Sequence, residues 1–330
     1  MLKRKKSHTK SSSYILKFIA WFLALCIFGS LSLSAGYYVG FENAKSTLEN
    51  KEKNKEERPS ASTINDRLKK VLEDNLQVSK EPLKLKENAG SSHEYVNSVT
   101  QKAPSRMKRE VKVLNADKPK LAIIIDDVSV RSQVVALKSL GLDLTMSFLP
   151  PSAARPNSAK LAAKEDFYMV HLPMEAQNFS AEEPDTLRVS HTQKEVSSRV
   201  EDIISMFPKV KYINNHTGSK YTEDERAMNR LILALNSKNI SFIDSRTTSK
   251  TQVPRVMKNF DLKYVSRDVF LDHHMEKEYV LKQIKEAVRI AKVEGIAIAI
   301  GHPHKNTIAA LRESKKLFQD IDLVFINKVY

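Results

Sequence analysis

Apolar residues are bunched along this chain, and three textures follow one another. Residues 18–40 (FIAWFLALCIFGSLSLSAGYYVG) pass 23 positions without a charge. Residues 42–118 are dominated by Lys, Glu, Ser and Asn, and from Lys120 onward short apolar runs alternate with stretches of helical period. At about 1.5 Å per residue the first run covers a hydrocarbon core of roughly 30 Å, which predicts a transmembrane helix. The middle region has too little apolar surface to offset the entropy of ordering and predicts a flexible tether. Inside it, Ile64, Leu68, Val71, Leu72 and Leu76 recur at helical spacing, which predicts a short amphipathic helix over residues 63–78 suited to self-association.

The third texture predicts a folded domain over residues 119–330. Its apolar runs fall at residues 121–125, 144–149, 167–171, 212–215, 241–244, 262–265, 296–300 and 323–326. The first, Leu121-Ala122-Ile123-Ile124-Ile125, is continuous, as expected of a strand buried on both faces. Helical stretches lie between the runs, and two open with capping-box spacing, Thr192 to Glu195 and Thr222 to Glu225. Regular alternation of strand and helix implies a parallel sheet covered by helices. Seven or eight such units in about 210 residues suit a small or distorted α/β barrel better than an open sheet.

Charge sharpens the topology. The chain carries 54 Lys and Arg against 39 Asp and Glu, a formal net charge of +15. Part of that excess is the leading Lys3, Arg4, Lys5, Lys6 run, which with Lys10 and Lys17 holds the N-terminus in the cytoplasm and puts the domain on the periplasmic side of a bacterial inner membrane. Ser34-Ala35-Gly36 offers a signal-peptide cleavage alternative, but the apolar run exceeds a usual signal core, so an uncleaved anchor is expected. No basic stripe interleaved with aromatics occurs, which argues against nucleic acid as partner. The single cysteine, Cys26, lies in the apolar run, so any metal in the domain must be held by His and carboxylate.

In parallel α/β architectures the carboxyl ends of the strands converge on one face. Here those ends carry Asp126-Asp127, His171 through Glu175, Asn214 through Ser219, Asp244-Ser245-Arg246, Arg267-Asp268 and Gly301-His302-Pro303-His304. Singly, Asp244 and Asp268 read as readily as helix caps or turn formers. Adjacent Asp126 and Asp127 are different, because two carboxylates ending an apolar strand repel unless a cation or proton is present. Alternating along the strand, one can ligate while its neighbour serves as base. His273-His274 reads as loop. Imidazole and carboxylate together suit a catalytic divalent ion, zinc in particular, and hydrolysis of an amide or ester.

In this order the motifs resemble those of the divergent polysaccharide deacetylases, relatives of the NodB-type carbohydrate esterases. The matching stretches are IIIDD at 123–127, HLPME at 171–175, NNHTGS at 214–219, FIDSRT at 242–247, RDVFLD at 267–272 and GHP at 301–303. The resemblance implies a distorted (β/α)7 barrel, a zinc-like metal and removal of acetyl groups from an N-acetylated polysaccharide such as peptidoglycan. By position it makes Asp126 the base, Asp127 and His171 metal ligands, and His302 the group that assists the leaving amine. The family's second histidine, four residues after the first, is Glu175 here, and its arginine-proline motif is replaced by the segment holding His216. His216 is therefore the expected third ligand, with Glu175 as its alternative and Asp268 as a further candidate. Asp244 is expected to support catalysis. Two other readings stand beside this one. The first is a non-enzymatic envelope protein binding glycan or partner in the same cleft; the second is a glycosidase, for which Asp126 and Asp244 would need a gap of about 5 to 9.5 Å.

Overall fold

The structure, a computed structural model, describes residues 104–107, 118–177 and 179–330. The expected membrane span at 18–40 and the amphipathic helix at 63–78 lie outside them. Among the described residues no helix is long and apolar enough to cross a membrane.

Eight parallel strands form one curled sheet: β1 (Lys120–Val128), β2 (Leu144–Phe148), β3 (Met169–Met174), β4 (Tyr212–Thr217), β5 (Ser241–Ile243), β6 (Val269–Phe270), β7 (Ile296–Gly301) and β8 (Asp322–Leu323). Their spatial order is β5-β4-β3-β2-β1-β7-β6, with β8 pairing only Lys120 and Leu121 of β1. Among the described residues eight helices connect them: α1 (Arg131–Lys138), α2 (Ser158–Ala162), α3 (Gln193–Met206), α4 (Ser219–Glu223), α5 (Glu225–Asn236), α6 (Val253–Asn259), α7 (Lys277–Glu294) and α8 (Lys305–Glu313).

The continuous apolar run of β1 serves two cores. Leu121, Ile123 and Ile125 face the helices, packing with residues such as Val196, Val200 and Ile284. Ala122 and Ile124 face the concave interior with Met169, Ile243, Ile298 and Ile300. Period-2 alternation therefore sets which side chains at the strand ends point inward. At the amino end, Ile326 and Val329 of the C-terminal segment join the inner cluster, and the Ile326 N–H donates to Thr145 Oγ1 at 3.0 Å.

The helices start and stop for local reasons. Thr192 caps α3 by accepting from the Glu195 N–H, and Glu195 reaches back to accept from the Thr192 N–H at 2.7 Å, the reciprocal pair expected there. The box expected at Thr222 and Glu225 does not form. Asp224 caps α5 instead, accepting from the Ala227 N–H at 2.7 Å, while the Thr222 hydroxyl donates to the Gly218 carbonyl. α7 buries Val280, Ile284, Ala287, Val288 and Ala291 along one stripe and stops at Gly295, whose φ of +78° completes the turn.

The expected barrel is a half-barrel. Its edge strands β5 and β6 meet through a single bridge, Asp244 to Ser266. Two main-chain hydrogen bonds make that seam, Asp244 N–H to Val265 O at 3.0 Å and Arg267 N–H to Asp244 O at 3.1 Å. The strand expected at 262–265 thus contributes only its last residue to the sheet. Beside the seam, Arg106 pairs with Glu294 at 2.8 Å, and the Ser105 carbonyl accepts from the Arg246 guanidinium at 2.7 Å.

Candidate metal centre

Asp126 lies on the inward parity of Ala122 and Ile124 and is buried. A strict strand would turn Asp127 outward, toward the helices. A bulge between Ile125 and Val128 prevents this, and Asp127 adopts φ +56°. The left-handed region is uncommon for a residue other than glycine but is tolerated by Asp. Both carboxylates consequently reach one imidazole: Asp126 Oδ2 stands 3.6 Å from His171 Nδ1, and Asp127 Oδ1 stands 3.5 Å from His171 Nε2. The alternation expected of the pair is overridden by the bulge. Thr217 (φ +50°) and Arg246 (φ +51°), at the ends of β4 and β5, take the same backbone conformation.

His216 brings Nδ1 to 3.0 Å from Asp127 Oδ1 and packs edge-on against His171, ring centroids 5.0 Å apart. Asp127, His171 and His216 each offer a ligand atom within 4.8 Å of the others, a spacing and donor chemistry that fit one divalent ion. Behind His216, Gly218 (φ +89°) lets β4 close against β3, since a Cβ there would lie 2.9 Å from the Met174 Cβ.

Asn214, the register partner of His171, organises the floor of this centre. Its Nδ2 donates to both oxygens of Asp126 at 2.9 Å and to Ser245 Oγ at 3.0 Å. Its Oδ1 accepts from Ser147 Oγ at 2.6 Å and from His171 Nδ1 at 3.1 Å. Because an amide oxygen only accepts, His171 carries its proton on Nδ1 and presents an unprotonated Nε2 toward Asp127. Burial holds the His171 imidazole well below its ordinary range, with His216 adding to the effect. Burial pushes the Asp126 carboxyl up to about 7, against the opposing influence of His302 and Asn214. Asp127 sits well below the usual carboxylate range: burial alone would raise it, and the neighbouring imidazoles, His216 first, overcome that.

His302 enters from the end of β7. Its Nδ1 lies 3.0 Å from Asp272 Oδ1, and its N–H donates to Asp272 Oδ2 at 2.7 Å. Thr307 Oγ1 donates to the same carboxylate at 2.7 Å. Burial would lower the imidazole, but the Asp272 charge and hydrogen bond carry it up to about 9. Asp272, His302 and His304 also lie within ligand spacing. Both oxygens of Asp272 are engaged, by the His302 main chain and ring and by Thr307. Gly301 permits the approach, since a Cβ there would stand 3.1 Å from Leu271 Cβ and 3.4 Å from Asp272 Oδ2.

The family model described as divergent polysaccharide deacetylase matches residues 123–330. The chain belongs to that family. Among relatives of this deacetylase family member, an uncharacterised protein of Haemophilus influenzae is 32% identical over 216 residues, covering 64% of this chain and 76% of its own. The uncharacterised protein YibQ of Escherichia coli K12 is 34% identical over 211 residues, covering 62% of this chain and 65% of its own. A solved structure, the uncharacterised protein ATU2773 of Agrobacterium tumefaciens C58, superposes with a TM-score of 0.57 at 17% identity, covering 66% of this chain and 91% of that one. The curled parallel half-barrel is the α/β sheet of the NodB-like deacetylase fold.

Three residues expected at the site stand elsewhere. Glu175 lies outside the three-residue group: it pairs with Lys220 at 2.7 Å and accepts from the Val189 N–H at 2.9 Å. Asp244 has the parity of Phe242, on the helix side, and its carboxylate accepts from the Arg246 N–H, Thr251 and Tyr264 at 2.7 to 3.0 Å. It is a structural hub, with those three donors taking up its carboxylate. Asp268 accepts from the Ile298 N–H at 2.8 Å and faces Arg106 at 4.0 Å, away from the three-ligand cluster. Conversely, Asn214 and Asp272 were not singled out by the sequence. The signal for Asn214 was its two-residue offset from His216, which puts both on one strand face.

Proposed function

We propose that this protein is a metal-dependent hydrolase that removes acetyl groups from an N-acetylated envelope polysaccharide such as peptidoglycan. The observation that carries the reading is one juxtaposition: the donor set Asp127, His171 and His216, the buried carboxyl of Asp126 beside His171, and the Asp272-backed imidazole of His302. A divalent ion such as zinc, held by those three donors, would polarise the acetamide carbonyl and lower the pKa of water. Asp126, with proton affinity near neutrality, accepts the proton of the attacking water. His302 donates a proton to the departing amine, so that acetate and a free amino sugar leave together. Asn214 keeps Asp126 and His171 in place throughout.

A ring-lined surface beside His302 supports a sugar substrate. Phe270 lies 5.5 Å from the His302 ring and 6.1 Å from His273, and His274 continues the row to Tyr279 at 4.7 Å. Such rings suit the apolar faces of pyranoses. The uncharged run at 18–40 behind a basic N-terminus supports a periplasmic placement, with the domain tethered through residues 42–118 and residues 63–78 available for self-association.

The test is acetate release. Zinc-loaded full-length protein in detergent should liberate acetate from N-acetylglucosamine oligomers or peptidoglycan, and Asp126→Asn should not. Protein that binds stoichiometric zinc yet releases acetate from no glycan would overturn the hydrolytic reading and leave a binding cleft.

A further inference from the structure

A groove of about 370 Å³ opens beside the metal centre, between the start of α1 and the β2–α2 connection. It begins at Ser129, two residues past Asp127 and so within about 8 Å of it along the main chain. Val130, Ala154, Pro156 and Leu161 supply apolar lining, and Arg131, Arg155, Lys160 and Lys164 supply charge; no carboxylate lines it. Arg155 is committed to holding the connection, since it donates to the Pro150 carbonyl at 3.3 Å and pairs with Glu183. Arg131, Lys160 and Lys164 are exposed and make no ion pair with any carboxylate among the described residues. The other large cleft, along α3, is balanced instead: Glu183, Asp185, Glu195 and Asp202 face Arg188 and Arg199.

We infer that this groove is a subsite for an acidic substituent on the glycan, a carboxylate carried on a short apolar arm such as the 3-O-lactyl group of an N-acetylated sugar. The inference rests on the deacetylase reading above and names which polysaccharide it favours. Three uncompensated cations select the carboxylate, and the apolar lining takes the methyl group of the arm. The position beside Asp127 fits a substituent on the reacting sugar or its neighbour, whereas a neutral N-acetylglucosamine polymer leaves the groove unused.

The experiment compares two probes on the full-length, zinc-loaded protein in detergent. These are a disaccharide of N-acetylglucosamine and its 3-O-lactyl N-acetylated neighbour, and the same compound methyl-esterified at the lactyl carboxylate. The free acid should bind about tenfold more tightly at low salt and lose that margin at high salt. The triple variant Arg131→Glu, Lys160→Glu, Lys164→Glu should abolish the margin while leaving affinity for the ester and zinc stoichiometry unchanged. Equal affinity for acid and ester in the unmodified protein, or a margin that survives charge reversal, overturns the subsite and leaves the deacetylase reading standing. Failure of both probes to bind, with acetate released from neither, overturns the deacetylase reading itself. A variant with altered zinc stoichiometry is replaced by the single change Lys160→Glu, for which a reduced margin supports the subsite and an undiminished one opposes it.

Discussion

His171 Nδ1 lies 3.1 Å from the side-chain oxygen of Asn214, and that one contact decides which nitrogen of His171 is offered to a metal. The same amide grips both oxygens of Asp126. The proposed base and one proposed ligand are therefore positioned by one side chain that need touch neither metal nor substrate. Asn214→Ala should lower zinc affinity about 10- to 100-fold, read by competition with a chromogenic chelator. It should also cost on the order of 3 kcal/mol in urea unfolding, because Asp126, Ser147 and His171 all lose a buried partner. Unchanged zinc affinity would remove Asn214 from the site.

Asp127 combines a proposed ligand role with a backbone role. Asp127→Asn keeps a residue tolerant of φ +56° but loses the charge, so the fold should survive and zinc binding should fall sharply. Asp127→Val should lose both, with an added penalty of roughly 1–2 kcal/mol for a β-branched residue in the left-handed region. Circular dichroism melts with metal analysis separate the two. Equal stability of the Asn and Val variants would refute the backbone part.

Glu175 and His216 were alternatives for the third ligand, and their variants should now diverge. Glu175→Gln removes an ion pair with the exposed Lys220 and should leave zinc stoichiometry intact. His216→Ala should abolish stoichiometric binding. Metal content after gel filtration decides, and zinc loss in the glutamine variant would restore Glu175 to the centre.

The Asp272–His302 pair gives stability a defined pH dependence. The imidazole binds its proton more tightly in the folded state, up to about 9, than the ordinary value of 6.5. Its contribution is therefore fully present below about pH 6.5 and is lost as pH rises through 9. The melting temperature of metal-free protein should fall between pH 7 and 10 more steeply than that of His302→Gln. Parallel curves would show that the pair does not stay protonated.

Acetate release should drop by about 10² or more in Asp126→Asn with zinc retained, since the change removes a proton acceptor but no ligand. Loss of zinc in that variant would instead make Asp126 part of the metal's own coordination.

Much of this arrangement was legible because the chemistry punctuates apolar runs. Asp127, His171 and His216 each interrupt or follow a strand, and parallel topology brings strand ends together. Glu175 shows where position within a motif misled: its carboxylate turns to Lys220 and the Val189 N–H. Asp268 and Asp272 were indistinguishable in sequence. What separates them is tertiary, the close approach that Gly301 allows between β7 and Asp272. Asp244 was misplaced for want of strand parity, which puts it on the helix side with Phe242, and the turning of Asp127 required a bulge that no pattern of apolar residues announces.

The seam between β5 and β6 gives the molecule a built-in slit. The ring of strands is held there by two main-chain hydrogen bonds, whereas β3 and β4 share five paired positions and β1 and β7 share six. The strands carrying Asp126, Asp127, His171, Asn214, His216 and His302 all lie on the continuous side, as do the contacts of Asp272 with His302. Parting the slit therefore widens the mouth of the half-barrel without separating any two groups of the candidate site. In amide exchange, the Asp244 and Arg267 protons are the place where such breathing becomes visible as exchange faster than in β1 or β7. Under the proposed deacetylase reading, a wall that yields opposite the candidate site is an entry suited to a polymer with no free end to thread.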